Sequence, residues 1–148
     1  MIHKYKELLL KDLCARLPYE VKGIRTYRHE EIVTLNEIIP RCKTNPNVGN
    51  ITFCELGFDE TLDCCVITEF KPYLFPLSSM SEDQRKYITD RWGINEEFDF
   101  EINPDWGEYF VELGDIVDFI DWLNENHFDY RGLIEKGLAI DATGLNIY

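Results

Sequence analysis

The nearest match to a metal-binding pattern is a calcium-loop spacing in the second half of the chain. Its first, third, fifth and twelfth positions are Glu101, Asn103, Asp105 and Glu112. The sixth position of such a loop needs glycine for a sharp turn, and here it is Trp106. Apolar and polar residues alternate over 98–103, which is typical of a half-buried strand. We therefore predict a strand here, followed by another strand at 109–113, and no metal cofactor.

A thiol and an imidazole are the other candidates for chemistry. Cys14 with His3 or His127 would supply the nucleophile and base of a cysteine hydrolase, but no local sequence signature accompanies these residues. The five cysteines show no zinc-site spacing. The chain also has no Gly-rich phosphate loop, nucleophile elbow or HExxH helix. We predict that the protein is not an enzyme and carries no cofactor.

Length and composition favour one globular domain over residues 1–148, since 45% of the residues are hydrophobic. The first 14 residues are too rich in charge for a signal peptide. No stretch is long and apolar enough to span a bilayer. These features predict a cytoplasmic protein.

Negative charge is concentrated in residues 92–130. The whole chain has a formal net charge of −13, and this segment holds 12 carboxylates and no Lys or Arg. Such a surface repels nucleic-acid phosphates, so direct binding of DNA or RNA by this segment is disfavoured. The charge favours a basic protein partner, or the more basic N-terminal region of a second copy in a homo-oligomer.

An amphipathic helix over 115–125 organises that acidic segment. Its apolar stripe, spaced as i, i+3, i+4 and i+7, consists of Ile116, Phe119, Ile120 and Leu123. Its carboxylates lie off the stripe and form the predicted partner-binding face: Asp115, Asp118, Asp121 and Glu125. A solvated helix face has the same pattern. The buried stripe predicts a single core shared with Leu9, Leu13 and Leu138.

The N-terminal half predicts a helix over 2–17, ended by Pro18, and then short strands. The first two strands, 19–24 and 27–35, are expected to pair through a turn at 23–26. An exposed loop over 41–50 precedes two further strands and an extended segment: 51–56, 62–68 and 69–77. The fold class is therefore α+β, with a small, strongly bent antiparallel sheet and helices packed on it. An SH3-like barrel and an open sheet both fit this spacing.

Helix boundary residues are clearest in the C-terminal half. Ser81 and Gln84 form a capping box, and Gly93 is placed to end that helix. A second, short helix is predicted over 132–136 with Gly137 as its left-handed cap. A final strand over 138–140 should then precede a loose tail.

Three segments of the sequence carry a resemblance to a known group. They are LLLKDLCARLPY at 8–19, KPYLFPLSSMSEDQ at 71–84 and DWLNENHFDYRGLIEKGLAID at 121–141. Together they resemble small uncharacterised proteins of phages, prophages and mobile elements from gut anaerobes. The resemblance implies the setting of a phage or mobile-element accessory protein. From the whole sequence we predict that such a protein acts by protein interaction, with modulation of host defence as one role. It names no activity and no catalytic residue.

Two alternative functions depend on cations. A nucleotide-binding or sequestering protein would need cations beside an aromatic pocket, and those available are Arg25, Arg28, Arg131 and Lys136. A nucleic-acid-associated protein would instead use a basic, aromatic patch in the N-terminal half. Its cations would be Arg16, Lys22, Arg25, Arg28, Arg41 and Lys43.

Overall fold

A computed structural model of the chain describes residues 2–26, 31–40, 51–56, 62–98 and 112–148. Its helices are α1 (Ile2–Arg16), α2 (Glu82–Trp92) and α3 (Leu113–Glu125). Its strands are β1 (Lys22–Arg25), β2 (Ile32–Thr34), β3 (Glu37–Pro40), β4 (Ile51–Leu56), β5 (Leu62–Val66), β6 (Phe70–Leu74) and β7 (Ile140–Asp141). Helices and sheets in this order confirm the α+β fold class.

The first helix follows the predicted leucine pattern. Leu9 and Leu13, one turn apart, are buried in the core. The α-helix ends at Arg16, one residue earlier than predicted, and the chain continues in a 3₁₀ turn over Leu17–Tyr19. Tyr19 therefore does not begin a strand. The first strand begins at Lys22, after Glu20 adopts a left-handed backbone conformation with φ 53°.

One sheet has the strand order β2-β1-β6-β7. β1 pairs antiparallel with β2 and β6, whereas β7 pairs parallel with β6. The sheet is therefore mixed, and the prediction of a purely antiparallel sheet is wrong at β7. Within the described strands the sheet stays open between β2 and β7, so it does not form an SH3-like barrel.

Gly23 lies inside β1, so the predicted turn at 23–26 is also wrong. Its register partners are Val33 on one side and Pro72 on the other. A Cβ atom at Gly23 would lie 2.5 Å from the Phe70 ring and 2.5 Å from the Lys71 carbonyl oxygen. The missing side chain lets the Phe70 ring pack directly on β1.

A second sheet has the order β3-β4-β5, with antiparallel pairing throughout. This confirms the hairpin predicted from 51–56 and 62–68. The last residues of that second predicted strand instead turn in a 3₁₀ segment, Ile67–Glu69, which leads into β6. The extended segment predicted over 69–77 is confirmed where it forms β6.

α2 begins and ends at the predicted residues. The Ser81 side chain accepts a hydrogen bond from the Gln84 amide, and the Gln84 side chain accepts one from the Ser81 amide. Gly93 closes the helix at φ 66°, a conformation that costs glycine little. These local hydrogen bonds fix the position of Gln84, which matters for the cavity described below.

The buried residues form two clusters rather than the single predicted core. Leu9 and Leu13 pack with β2 and β6 residues, and Leu138 is half-buried against them. Phe119 and Leu123 belong to the other cluster, where Ile120 is half-buried. Ile116 is 38% exposed, so its predicted burial is wrong.

The segment after α3 is held by a carboxylate instead of a short helix. Residues 133–137 form turns, and no helix occurs over 132–136, so the predicted helix is wrong there. Both Asp129 carboxylate oxygens accept main-chain hydrogen bonds, from Leu133 (2.9 Å) and Ile134 (2.8 Å). Gly137 has the predicted left-handed conformation, with φ 68°.

Several predictions fall outside the described residues. They are the loop over 41–50, the calcium spacing over 101–111, most of the strand over 98–103, the strand over 109–111, and Arg28. Phe98, which is described, lies in a bend with φ 64° and not in a strand. Residues 112 and 113 are described too, and Leu113 begins α3 instead of ending a strand. In the described parts of the chain, no cluster of three metal-binding side chains occurs. The described helices also include none that is long and apolar enough to cross a membrane.

Candidate functional site

α3 presents two different faces. Phe119 and Leu123, four residues apart, are buried against the aromatic cluster that includes Trp92. The opposite face carries Asp118, Asp121 and Glu125, which are exposed and follow one another at i, i+3 and i+7. The helix therefore docks by its apolar face and leaves three carboxylates in a row in solvent.

Exposed apolar side chains border those carboxylates. Leu113 is 76% exposed and Val117 is 51% exposed, and the two lie one turn apart at the start of α3. Val117 is also one turn from Asp121. We use the term α3 surface for this set: Leu113, Val117, Asp118, Asp121 and Glu125. Asp115, the fourth predicted carboxylate, is only half-exposed and lies at the border of this set.

An arginine of α2 and a tyrosine that follows α1 approach the α3 surface. Arg91 of α2 places a guanidinium nitrogen 4.0 Å from an Asp118 oxygen, and both side chains are more than half exposed. The Tyr19 phenol also lies near this surface. Desolvation raises the pKa of Tyr19, and the charges of Asp121 and Glu125 raise it further. A surface ion pair such as that of Arg91 and Asp118 contributes little stabilisation, because solvent screens the two charges.

The predicted ligand-binding cations have other partners. Arg131 lies at ion-pair distance from Asp12, with 3.4 Å between Nε and Oδ1. The Lys136 ammonium donates to the carbonyls of Arg131 and Gly132. Arg25 lies 4.0 Å from Glu31. The structure therefore brings Arg131 and Lys136 near each other, and it places Arg25 in β1.

Arg16 is fully buried, which overturns its predicted place in a basic surface patch. Its guanidinium donates to both Asp12 oxygens, at 2.7 and 3.2 Å, and to the Phe128 carbonyl at 2.6 Å. It also lies 5.4 Å from the centre of the Tyr130 ring, with Arg131 at 5.0 Å from the same ring. This buried ion pair joins α1 to the segment that follows α3.

A cavity of about 420 Å³ lies at the C-terminal end of α3. Its aromatic lining consists of Phe75, His127, Phe128 and Tyr148. Its polar lining consists of Ser79, Gln84, Glu125 and Asn126. Glu125 belongs to both the α3 surface and this lining, so the two candidate sites meet at that residue.

His127 and Tyr148 form one wall of the cavity. Their rings are stacked, with centroids 3.6 Å apart and planes 11° from parallel. The Tyr148 hydroxyl donates to the Tyr73 carbonyl (2.9 Å) and accepts from the Lys22 amide (3.1 Å). Burial raises the pKa of Tyr148 to about 12, so the phenol stays protonated. The prediction of a loose tail is therefore wrong at Tyr148, which is held by hydrogen bonds and stacking.

His127 is a neutral ring at physiological pH. Burial and then the charges of Arg16 and Lys22 lower its pKa to about 4. Its Nδ1 is buried without a hydrogen-bond partner among the described residues. Cys14, the candidate thiol, is exposed on α1. His127 is thus suited to neutral hydrogen bonding and stacking in the cavity.

The lowered pKa predicts a specific pH dependence of stability. Between about pH 6.5 and pH 4 the unfolded chain binds a proton at His127 that the folded chain does not, so stability falls as pH falls. His127→Asn removes the titrating ring and suits the φ of 58° at this position. Since the open cavity partly screens the ring, we expect the variant to lose less stability than wild type from about pH 7 to about pH 5, by on the order of 1–2 kcal/mol.

Urea unfolding of both proteins at the two pH values measures this difference. The other titrating groups are the same in both chains and cancel in the comparison. Equal losses in the two proteins would show that His127 does not titrate as the buried ring requires.

The sequence patterns do not predict the cavity. They indicate Gln84 only as part of a helix cap, and Tyr148 only as part of a tail. The aromatic character of Phe128 and Tyr148 is a weak indication, because nothing in the local pattern shows that these rings meet. Comparisons with protein-family models, with curated proteins and with solved structures found no match.

Proposed function

We propose that the protein is a non-catalytic binding protein whose α3 surface docks a basic protein partner. The observation that carries this proposal is the juxtaposition of exposed Leu113 and Val117 with three solvent-facing carboxylates on one helix. Apolar contacts of this kind contribute affinity, and charges beside them orient a partner and speed its association.

Charge supports a basic partner over an acidic one. The net charge is −13, and the cation that approaches the α3 surface from α2, Arg91, lies 4.0 Å from Asp118 in an exposed pair. Lys and Arg side chains of a partner would find carboxylates at i, i+3 and i+7, together with the Tyr19 hydroxyl. Nucleic acid would meet the same negative field and be repelled.

The proposed setting is that of a phage or mobile-element accessory protein. The three segments that resemble such proteins support it, and binding of a basic host protein is consistent with modulation of host defence. The prediction that the protein is not an enzyme stays a prediction, and so does its cytoplasmic location. A second copy of the chain is the alternative partner, since the N-terminal region is more basic than the rest.

Reversing two charges on α3 tests the proposal. Asp118→Lys with Asp121→Lys is expected to abolish capture of a basic protein from host lysate by the immobilised chain. Wild-type capture should weaken between about 0.05 and about 0.5 M salt, because salt screens surface charges. The captured protein, once identified and purified, should show the same loss of affinity in a direct titration.

The matched control is Glu96→Lys with Glu97→Lys, which makes the same change in net charge at exposed residues after α2. It should retain most of the binding, because the charges on α3 are intact. Similar losses in both double variants would show that net charge and not the α3 surface drives capture. Size measurement at both salt concentrations identifies a second copy as the partner if dimers form at low salt.

A further inference from the structure

The cavity at the end of α3 has the lining of a site for a flat aromatic ligand. Phe75 and Phe128 have ring centroids 6.3 Å apart, and Phe75 and Tyr148 are 6.0 Å apart. His127 adds a neutral ring stacked on Tyr148. Cavities of about 300–1,000 Å³ are typical of small-molecule sites, and 420 Å³ holds a ligand of nucleoside size.

Two amide side chains in the lining each have one hydrogen-bonding group that is available to a ligand. The Gln84 oxygen accepts from the Ser81 amide, which leaves the Gln84 NH₂ as a donor. The Asn126 NH₂ donates to the Trp122 carbonyl at 2.9 Å, which leaves the Asn126 oxygen as an acceptor. Both amide orientations are fixed by main-chain partners that can play only one role.

The remaining polar groups favour a ligand with an amino group and no phosphate. Glu125 adds a second acceptor, while the Ser79 hydroxyl is already donating to the Pro76 carbonyl. The described residues that line the cavity include no Lys or Arg. Acceptors therefore exceed donors, and a phosphate would face Glu125 without a cation to pair with it.

We propose that this cavity binds an unphosphorylated, amino-substituted nucleobase or nucleoside of the adenine type. The base stacks on the aromatic wall, its exocyclic amine donates to Asn126 and Glu125, and a ring nitrogen accepts from Gln84. The paired donor and acceptor on one edge of adenine match the free groups of the two amides. Stacking on aromatic side chains contributes affinity for any base. The hydrogen bonds from the two amides add selectivity for the amino edge of adenine.

Calorimetric titration with adenosine tests the proposal. Gln84→Glu is the diagnostic variant, because Glu preserves the capping box of α2 while replacing the NH₂ donor with a carboxylate oxygen. We expect adenosine to bind wild type and to bind the variant about tenfold more weakly, since the ring nitrogen loses its donor. Lys11→Gln makes the same change in net charge at an exposed position on α1 and should leave the affinity within about twofold.

Ligand analogues distinguish free nucleosides from other sources of the same base. N6,N6-dimethyladenosine keeps the stacking surface but lacks the amine hydrogens, and it should bind about tenfold more weakly than adenosine. AMP and single-stranded oligoadenylate should also bind more weakly, because of their phosphates. The proposal is overturned if adenosine gives no binding at about 1 mM, if Gln84→Glu binds it as well as wild type does, or if either phosphorylated ligand binds more tightly than adenosine.

Discussion

Asp12→Ala is expected to lower the free energy of unfolding by about 3–5 kcal/mol. Asp12 is fully buried, and its two oxygens accept from the buried guanidinium of Arg16. Arg131 adds a second cation at 3.4 Å. Removing the carboxylate leaves the Arg16 charge in the interior without a counterion, and desolvation makes that state costly.

The matched control for this prediction is Asp90→Ala on α2. Asp90 pairs with Lys86 in the same i, i+4 arrangement, but both side chains are mostly exposed. Its removal should cost less than about 1 kcal/mol, because solvent screens such pairs. Urea unfolding monitored by tryptophan fluorescence measures both variants. Similar losses would show that Asp12 and Arg16 are solvated in solution.

A double variant distinguishes the cost of leaving one charge unpaired from the cost of losing the whole ion pair. Asp12→Leu with Arg16→Met replaces both charges by apolar side chains that suit a helix. It should be more stable than Asp12→Ala, because no charge is left unpaired in the interior. Some loss will remain, since the Phe128 carbonyl then lacks the hydrogen bond that Arg16 donates.

Leu123→Ala is expected to destabilise the protein by about 2–5 kcal/mol. Leu123 is 2% exposed and belongs to the cluster in which the Trp92 and Phe119 rings lie 5.5 Å apart. Truncation removes apolar contacts and leaves a void that rigid aromatic neighbours cannot fill. Thermal and urea unfolding should both report the loss.

Leu113→Ala makes the same truncation on the same helix at a side chain that is 76% exposed. It should change stability by less than about 0.5 kcal/mol. The same variant is expected to weaken binding of a basic partner if Leu113 contributes to the α3 surface as proposed. Equal destabilisation by the two truncations would mean that α3 docks through a different face.

Local interactions explain which elements are predictable from the sequence. The ends of α2 depend on hydrogen bonds between Ser81 and Gln84, three residues apart, and on the left-handed conformation of Gly93. The leucine spacing of α1 and the strand pair β4–β5 likewise depend on periodicity and on a short connection. The row of carboxylates on α3 follows from helical spacing alone. Its exposure can therefore be predicted once the helix itself has been predicted.

The predictions that are wrong concern features that depend on distant parts of the chain. Ile116 fits the apolar stripe of α3, but its burial depends on what lies opposite, and it remains 38% exposed. Arg16 is expected at the surface because Arg is rarely fully buried without partners. Its partners are Asp12 on the same helix and a carbonyl 112 residues away, and only the second explains why the pair is inside the protein.

Short-range patterns in the chain specify the α+β class, the boundaries of α2, and the negative, partly apolar character of α3. Long-range packing makes β7 run parallel to β6, divides the core into two clusters and forms a cavity around His127. Tyr148 hydrogen-bonds to Lys22 across 126 residues of sequence, and Gln84 and Asn126 line the same cavity although they are far apart in the chain. Such contacts form because packing brings together side chains whose separation along the chain leaves no periodic or local pattern.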